Sequence, residues 1–449
     1  MGKQLVMILS INKRIYRPGL WLVLFLSIFH VADAQEQKTF SSLEEVLRLA
    51  KEKSHTFYNA DIQEKLADLT QKTALGNVLN PRIPAFGQAL DNIQQQVIFM
   101  PGEIFGQPGT FRQITTGQRY SAIFNIQPQF EILNPASITQ VRSAKINKEL
   151  TSVQNSINEQ QTYDQINAIY FNILSFQEQI DIVTQNIATA DTILRVTQNR
   201  FEEGVGRKQD VNDAEVTLIH LQDNLEQLRL NLKIQEESLA LFFENSITPV
   251  LTENIYAHEV AQQLFETNNT LQVQYATLQL KMMEQDIKVA KMQNLPTLSF
   301  VSSFSWQNLS NDGLFHSNSN WIDYSYVGLR LSIDFPTTVS KLSTIRNKQF
   351  QSELLKNNYK HSIKETETKN RQMILDYKKA VSQFQNLRKI AALKEDTYRK
   401  NFQQYEENIL SLDRLLISYN DLLIAKLNLV SALASVGFNK SKVDINNKF

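Results

Sequence analysis

Glycine and proline are missing from long stretches of this chain, and those gaps limit its possible folds more tightly than anything else in the sequence. No proline lies between Pro135 and Pro249 or after Pro336. No glycine lies between Gly117 and Gly204, between Gly206 and Gly313, or between Gly328 and Gly437. Turns and helix stops draw on these two residues, so the gaps leave room for very long helices. A chain of 449 residues would ordinarily divide into two or three domains of about 150 residues each. Such domains would be punctuated far more often.

The 46 Lys and Arg balance 46 Asp and Glu, which removes the electrostatic case for a nucleic-acid partner. The absence of cysteine excludes disulfides, thiolate metal sites, cysteine nucleophiles and a lipid anchor on an N-terminal cysteine. At the start of the chain Lys3, Lys13, Arg14 and Arg17 precede the apolar run Leu20–Phe29, and His30-Val-Ala-Asp-Ala34 follows. This order predicts a secretory signal peptide over residues 1–34. The run is far shorter than the roughly 20 residues a spanning helix needs. Its removal takes four positive charges and one negative, leaving 42 against 45, or −3. No other uninterrupted apolar run reaches spanning length, so the mature protein is expected to be either soluble outside the cytoplasm or a β-barrel protein.

The mature chain alternates between two textures, and does so twice. Segments near 82–135 and 296–336 hold most of the Gly and Pro, with aromatics and alternating polarity. Segments near 136–250 and 337–440 are polar and rich in Gln, Asn, Leu and Ile. The self-similarity has a period of about 205 to 215 residues, which predicts an internal two-fold repeat. Phe201-Glu-Glu-Gly-Val205 parallels Tyr405-Glu-Glu-Asn-Ile409. Gly204 and Asn408 fall at the same place, and these residue types best tolerate the left-handed conformation of a helix end.

In the first polar segment Ile166, Ile169, Ile173, Phe176, Ile180, Val183, Ile187, Ala190 and Leu194 step three and four residues apart. The beat resumes at Ala214, Leu218, Leu221, Leu225, Leu228 and Leu232, then Leu239 and Phe242, with Gln235 the one polar lapse. This spacing predicts coiled-coil helices in an antiparallel hairpin. About 60 residues of helix would reach roughly 90 Å. The second copy is looser: Ile374, Tyr377, Val381 and Phe384 lead in, and Leu412, Leu416, Tyr419, Leu423 and Val430 lead out.

Residues 298–306 and 327–335 alternate apolar with polar, and 120–130 does so apart from Ile123 and Pro128, as half-buried strands do and as transmembrane barrel strands do. A solvated sheet packed on a helix gives the same pattern. The apolar set that would face lipid comprises Phe124, Ile126, Phe300, Phe304, Leu329, Leu331 and Ile333. Residues 83–93 alternate poorly and are assigned as a strand from the repeat. The connections from Pro101 through Gly117 and from Asn308 through Asn320 read as surface loops.

These features together resemble the TolC-like outer-membrane efflux family across essentially the whole mature chain. The most specific residues are Arg200-Phe-Glu-Glu-Gly204, Asp210-Val-Asn-Asp-Ala214 and Val327-Gly-Leu-Arg-Leu-Ser-Ile-Asp-Phe-Pro336. The resemblance implies an α+β membrane protein. Three chains would give four strands each to one outer-membrane β-barrel, continued by a long periplasmic α-helical coiled-coil barrel. Four strands are too few to close a barrel alone, since about eight is the usual minimum. The expected divisions are a signal peptide (1–34), a first repeat (35–254) and a second repeat (255–449). The first holds a strand pair near 82–132 and a helical hairpin near 136–245; the second holds a strand pair near 296–336 and a hairpin near 337–436.

The implied function is a passive exit duct of a tripartite efflux or type I secretion system. Its partners would be two further copies, a periplasmic adaptor (membrane fusion) protein, an inner-membrane pump and outer-membrane lipid. A soluble periplasmic coiled-coil adaptor or structural protein is the other reading. The tips expected to meet the adaptor are Arg200, Phe201, Gly204, Val205, Tyr405, Asn408 and Ile409. Where the family narrows its tunnel with carboxylates just after the second tip, this chain has Arg414 and Ile417, with Asp413 one residue early. Asp210, Asp213, Asp413 and Arg414 are therefore the candidate constriction. Asp210 and Asp213 would also suit the first turn of a helix through its dipole. The six histidines form no H-E-x-x-H motif, and no nucleophile elbow or P-loop occurs. No enzyme activity, cofactor or metal is expected.

Overall fold

A computed structural model of the chain describes residues 36–243, 247–258, 267, 269–335 and 339–449. The expected signal peptide, residues 1–34, lies outside the described residues, as does Pro336. In chain order the elements are β1 (Glu36–Phe40), α1 (Leu43–Lys53), α2 (His55–Leu79), β2 (Ala85–Asp91), β3 (Gln96–Pro101), β4 (Phe111–Thr116), β5 (Tyr120–Ile126) and β6 (Gln129–Leu133). There follow α3 (Pro135–Glu202), α4 (Lys208–Ala240), β7 (Ile247–Leu251), α5 (Leu271–Met292), β8 (Thr297–Ser310), β9 (Asn320–Ser332), α6 (Val339–Glu406) and α7 (Leu412–Asn446). They form two compact units, and α3, α6 and α7 contribute to both.

One unit gathers the segment through Ser54 with Ile169–Ala257 and Tyr398–Val430. In it β1 and β7 pair in parallel, Glu36 opposite Ile247 through Phe40 opposite Leu251. Phe40 stacks on Phe243 at 5.7 Å, and Val46, Ala50 and Leu251 are buried with them. Helix α1 starts where the Ser42 side chain accepts the Glu45 N–H. Glu45 in turn accepts from the backbone and hydroxyl of Ser41, a variant of the capping box.

The rest of this unit is two helical hairpins packed together. Val183 and Ala190 of α3, Leu221 and Leu228 of α4, and Tyr419 and Leu423 of α7 make one core cluster. Ile193, Ala214, Tyr405, Leu412, Leu415 and Leu416 make a second. None of the seam residues Ile169 through Leu194 is exposed. Tyr419 donates its hydroxyl proton to the Asn186 carbonyl at 2.6 Å, so the one polar atom of a buried ring is satisfied.

The other unit comprises His55–Ala168, His258–Thr397 and Ser431–Phe449. Its sheet is antiparallel throughout. β2 pairs with β5, β5 and β6 both pair with β8, and β9 pairs with the other side of β8. β5 and β6 together act as one long strand interrupted at Pro128, which has no N–H to give the ladder. The Pro128 carbonyl instead accepts from the Ser302 N–H and hydroxyl. Helix α3 follows directly, with Asn134 accepting the N–H groups of Ala136 and Ser137 and Pro135 opening the first turn, as helix starts prefer.

Four side-chain amides close a circuit in this unit. Asn269 donates to Gln160, Gln160 to Asn446, Asn446 to Asn370, and Asn370 back to the Asn269 carbonyl. Nearby on α3, burial pushes the Asp164 carboxyl up to about 6 against the opposing charge of Lys442.

The stretch from Pro101 to Gly117, expected as a loop, is a loop only in part. Gly106 and Gly109, both at positive φ, confine the reversal to residues 102–110. That frees Phe111–Thr116 to pair with Gln96–Pro101 as β3–β4. Helices α1, α2 and α5 and the β1–β7 pair carried no expectation from the sequence.

Candidate functional site

The two hairpin tips are built alike, at an offset of 204 residues. In the first, Gly204 sits at φ +76° and in the second Asn408 at φ +61°. The N–H groups of Val205 and Gly206 both bond the Arg200 carbonyl, and those of Ile409 and Leu410 both bond the Gln404 carbonyl. Each tip satisfies the orphan carbonyls of its incoming helix through a left-handed residue.

The side chains differ. Arg200 crosses to the second hairpin, where its guanidinium donates to the Tyr405 and Glu406 carbonyls at 2.9 and 3.2 Å. It also lies 4.3 Å from the Tyr405 ring centroid. A cation is favoured there twice, by the aromatic face and by the C-terminal end of α6. Thr197 and the Tyr405 hydroxyl meet at 3.1 Å. Tyr405 is thereby only 5% exposed, and its ring is anchored inside the chain rather than offered at the tip. Phe201, at the matching place, is 38% exposed beneath Lys208. Val205 and Ile409 are about three-quarters exposed, at 74% and 70%.

Of the four candidate constriction residues, Asp210 is already engaged. It accepts from the Arg207 backbone N–H and from the Arg207 guanidinium, the latter at 2.8 Å, in the first turn of α4. Asp210 chiefly, with Asp413 and Asp213 beyond it, raises the Arg207 pKa further above its usual value. Asp213 is half-buried, while Asp413 and Arg414 are exposed in the first turn of α7. Arg207 went unnoticed in the sequence; its spacing of three from Asp210 was the available signal.

In the sheet, register decides which side chains share a face, because paired residues point the same way. One face carries Leu298, Phe300, Phe304 and Trp306 of β8 with Val327, Leu329 and Leu331 of β9 and Phe124, Ile126 and Phe130 of β5 and β6. Most of these are exposed, Leu329 and Leu331 by two-thirds. Phe300 is half-buried against Phe130 at 4.8 Å, and Ile333 is exposed just beyond β9. The opposite face carries Asn125, Ser303 and Ser305, all buried, with the Asn125 amide donating to both serines. This distribution inverts a water-soluble sheet, which hides its apolar face and wets its polar one. Among the described residues β2 and β9 each pair on one side only.

Phe315, at φ +59°, folds the β8–β9 connection back over the apolar face. Its N–H is accepted by Asn308, and its ring meets Trp321 and Phe124 at 6.2 and 6.4 Å. A bulky residue in this conformation is an outlier held by its surroundings.

Residues 115–242 match the family model described as outer membrane efflux protein. The fold is similar to that of the CmeC outer membrane channel of Campylobacter jejuni, with TM-score 0.69 and 14% identity over 90% of this chain and 85% of that one. It is similar to the MtrE outer membrane channel of Neisseria gonorrhoeae in its open state, with TM-score 0.66 and 12% identity over 90% and 88%. The outer membrane protein VceC of Vibrio cholerae gives TM-score 0.63 and 13% identity over 90% and 94%. No curated protein sequence matches. The chain thus has the mostly helical, partly β fold of the outer-membrane channels.

Proposed function

We propose that this chain, similar over residues 115–242 to the outer membrane efflux proteins, is the outer-membrane exit duct of a tripartite efflux or type I secretion system. The observation that carries the reading is the inverted centre of the sheet: an exposed apolar face, Asn125, Ser303 and Ser305 buried on the opposite face, and both edges open. Lipid is the solvent that suits such a face. A membrane also forbids open edges, because unpaired backbone groups cannot be satisfied in hydrocarbon.

Three copies would supply twelve strands, each β9 lying beside the β2 of a neighbour. Unpartnered apolar side chains support the same assembly. On α2, Leu66, Leu69 and Leu79 are exposed while Ala67 and Ala74 are buried, and on α6 Leu342, Phe350 and Leu354 are exposed. Helices this apolar on the outside favour contact with further helices. The division into repeats 35–254 and 255–449 fits the matching backbone of the two tips.

Within this reading, the hairpins form the periplasmic tunnel. Phe201, Val205 and Ile409 offer an apolar surface to an adaptor protein, which connects the duct to an inner-membrane pump. In a trimer Asp413 and Arg414 would each form a ring of three, which would act on ions in the pore.

Export in cells tests the whole reading. Charge reversal beside Gly204 or Asn408, as in Glu203→Lys or Glu407→Lys, is expected to abolish export while the protein remains trimeric in the outer membrane. Export at normal rates would contradict the role of the tips. In planar bilayers Arg414→Asp is expected to shift ion selectivity toward cations; unchanged selectivity would remove Arg414 from the constriction.

A further inference from the structure

The polar face of the sheet is not uniformly polar. On β2 the register puts Phe86 and Leu90 on the face of Asn125, and leaves Ala85, Gly87 and Ala89 on the apolar face. A Cβ at Gly87 would come within 3.2 Å of the Phe124 ring, so the small residues there make room for that ring. On β9, Ile322, Tyr324 and Tyr326 also fall on the polar face, opposite Gln307, Ser305 and Ser303. All five apolar or aromatic side chains are exposed to between two-fifths and about half.

One row crosses the sheet as Phe86, Asn125, Ser305, Tyr324. Rings stand at both edges, with amide and hydroxyl between them. Asn125 is buried, its amide donates to two serines, and its Oδ1 has no partner. β2 and β9 run antiparallel to each other through the intervening strands, so a β9 beside another copy's β2 continues the alternation. Closing the ring therefore brings the edge aromatics of two copies onto the same inner face at every junction.

Resting on the conduit reading, the geometry points to an inner wall striped by composition. Three largely aromatic seams, each built from Phe86 and Leu90 of one copy and Tyr324 and Tyr326 of the next, alternate with mainly polar panels, in which Asn125, Ser303, Ser305 and Gln307 stand beside the half-buried Ile123, Val301 and Leu309. The seams discriminate cargo. They hold passing molecules that carry aromatic rings, through stacking and edge contacts, more strongly than ring-free molecules of the same charge. Tyrosine suits this place because its ring gives contact area while its hydroxyl stays wet.

The test is single-channel recording of the purified outer-membrane protein in a planar bilayer, with probes added on the side of the β8–β9 connection. Tetraphenylphosphonium is expected to interrupt the current for longer than ring-free tetrabutylammonium. Replacing both tyrosines (Tyr324→Ser with Tyr326→Ser) should shorten the tetraphenylphosphonium interruptions roughly two- to tenfold, the ratio expected of aromatic contacts of ordinary strength. Gln307→Tyr, which adds a ring to a polar panel, should lengthen them. Interruptions unchanged in both variants would overturn the seams. If the double variant fails to form trimers, Gln307→Tyr decides alone: longer interruptions support the striped wall and unchanged ones overturn it. A parent protein that forms neither trimers nor a conducting pore would overturn the conduit reading itself, and the seams with it.

Discussion

The two hairpin tips share a backbone and differ in what they do with it. Phe201 and Tyr405 occupy the same place in the cap, yet one is 38% exposed and the other 5%. The cause lies one residue earlier. Arg200 of the first tip reaches the carbonyl end of α6 and covers Tyr405. Gln404, its counterpart, carries no charge to do the same for Phe201. The capping geometry is thus a property of each hairpin alone, while burial is set by the contact between them. The second tip is held by the first, and the first is left with an apolar ring to present.

The largest expected effect would break this contrast. Tyr405→Ala removes a buried ring with two polar ties, and should lower the local opening free energy of the α6–α7 tip by about 3 kcal/mol. Phe201→Ala should cost the α3–α4 tip less than about 1 kcal/mol. Hydrogen exchange of the tip amides measures both; equal losses would mean that the anchoring is not real. Arg200→Gln makes the two positions identical. It should weaken the second tip by about 1–2 kcal/mol, the usual worth of charged hydrogen bonds when partly exposed, and raise exchange across 403–410 rather than 199–206.

Smaller effects test the shared backbone. Gly204→Ala forces a Cβ into a left-handed residue and should cost about 1 kcal/mol. Asn408→Gly should be neutral or gain a few tenths. The smallest contrast concerns the aspartates. Asp210→Ala removes a helix cap and should cost about 1 kcal/mol, while Asp413→Ala, exposed, should stay within about 0.5 kcal/mol. A loss at Asp413 matching that at Asp210 would show that the second return helix is capped in the same way.

Much of the helical architecture is legible in the sequence because helix length and the seam follow from local rules. The Gly and Pro gaps set where α3 and α6 can run, and three-four spacing selects the buried residues. Gly204 and Asn408 announce the tips for the same reason. Strand β2 (Ala85–Asp91) is legible only through the repeat, because Phe86 and Leu90 put its bulk on the polar face and alternation gives no clean signal. The β3–β4 pair was hidden by turn residues that occupy only the middle of their segment. Helix α2 carries its leucines outward and its alanines inward, which defeats the usual search for an apolar stripe facing a core. Arg200, Thr197 and Tyr405 meet across more than 200 residues of chain, and no local pattern reports such a contact.

In the proposed duct, lipid and two further copies complete the sheet's exposed apolar face and its open edges. Fractionation of cells followed by mass measurement of the extracted protein tests it most directly. The expected result is a protein of the outer-membrane fraction that needs detergent for release and contains three chains per particle. A monomer released by salt alone would contradict it.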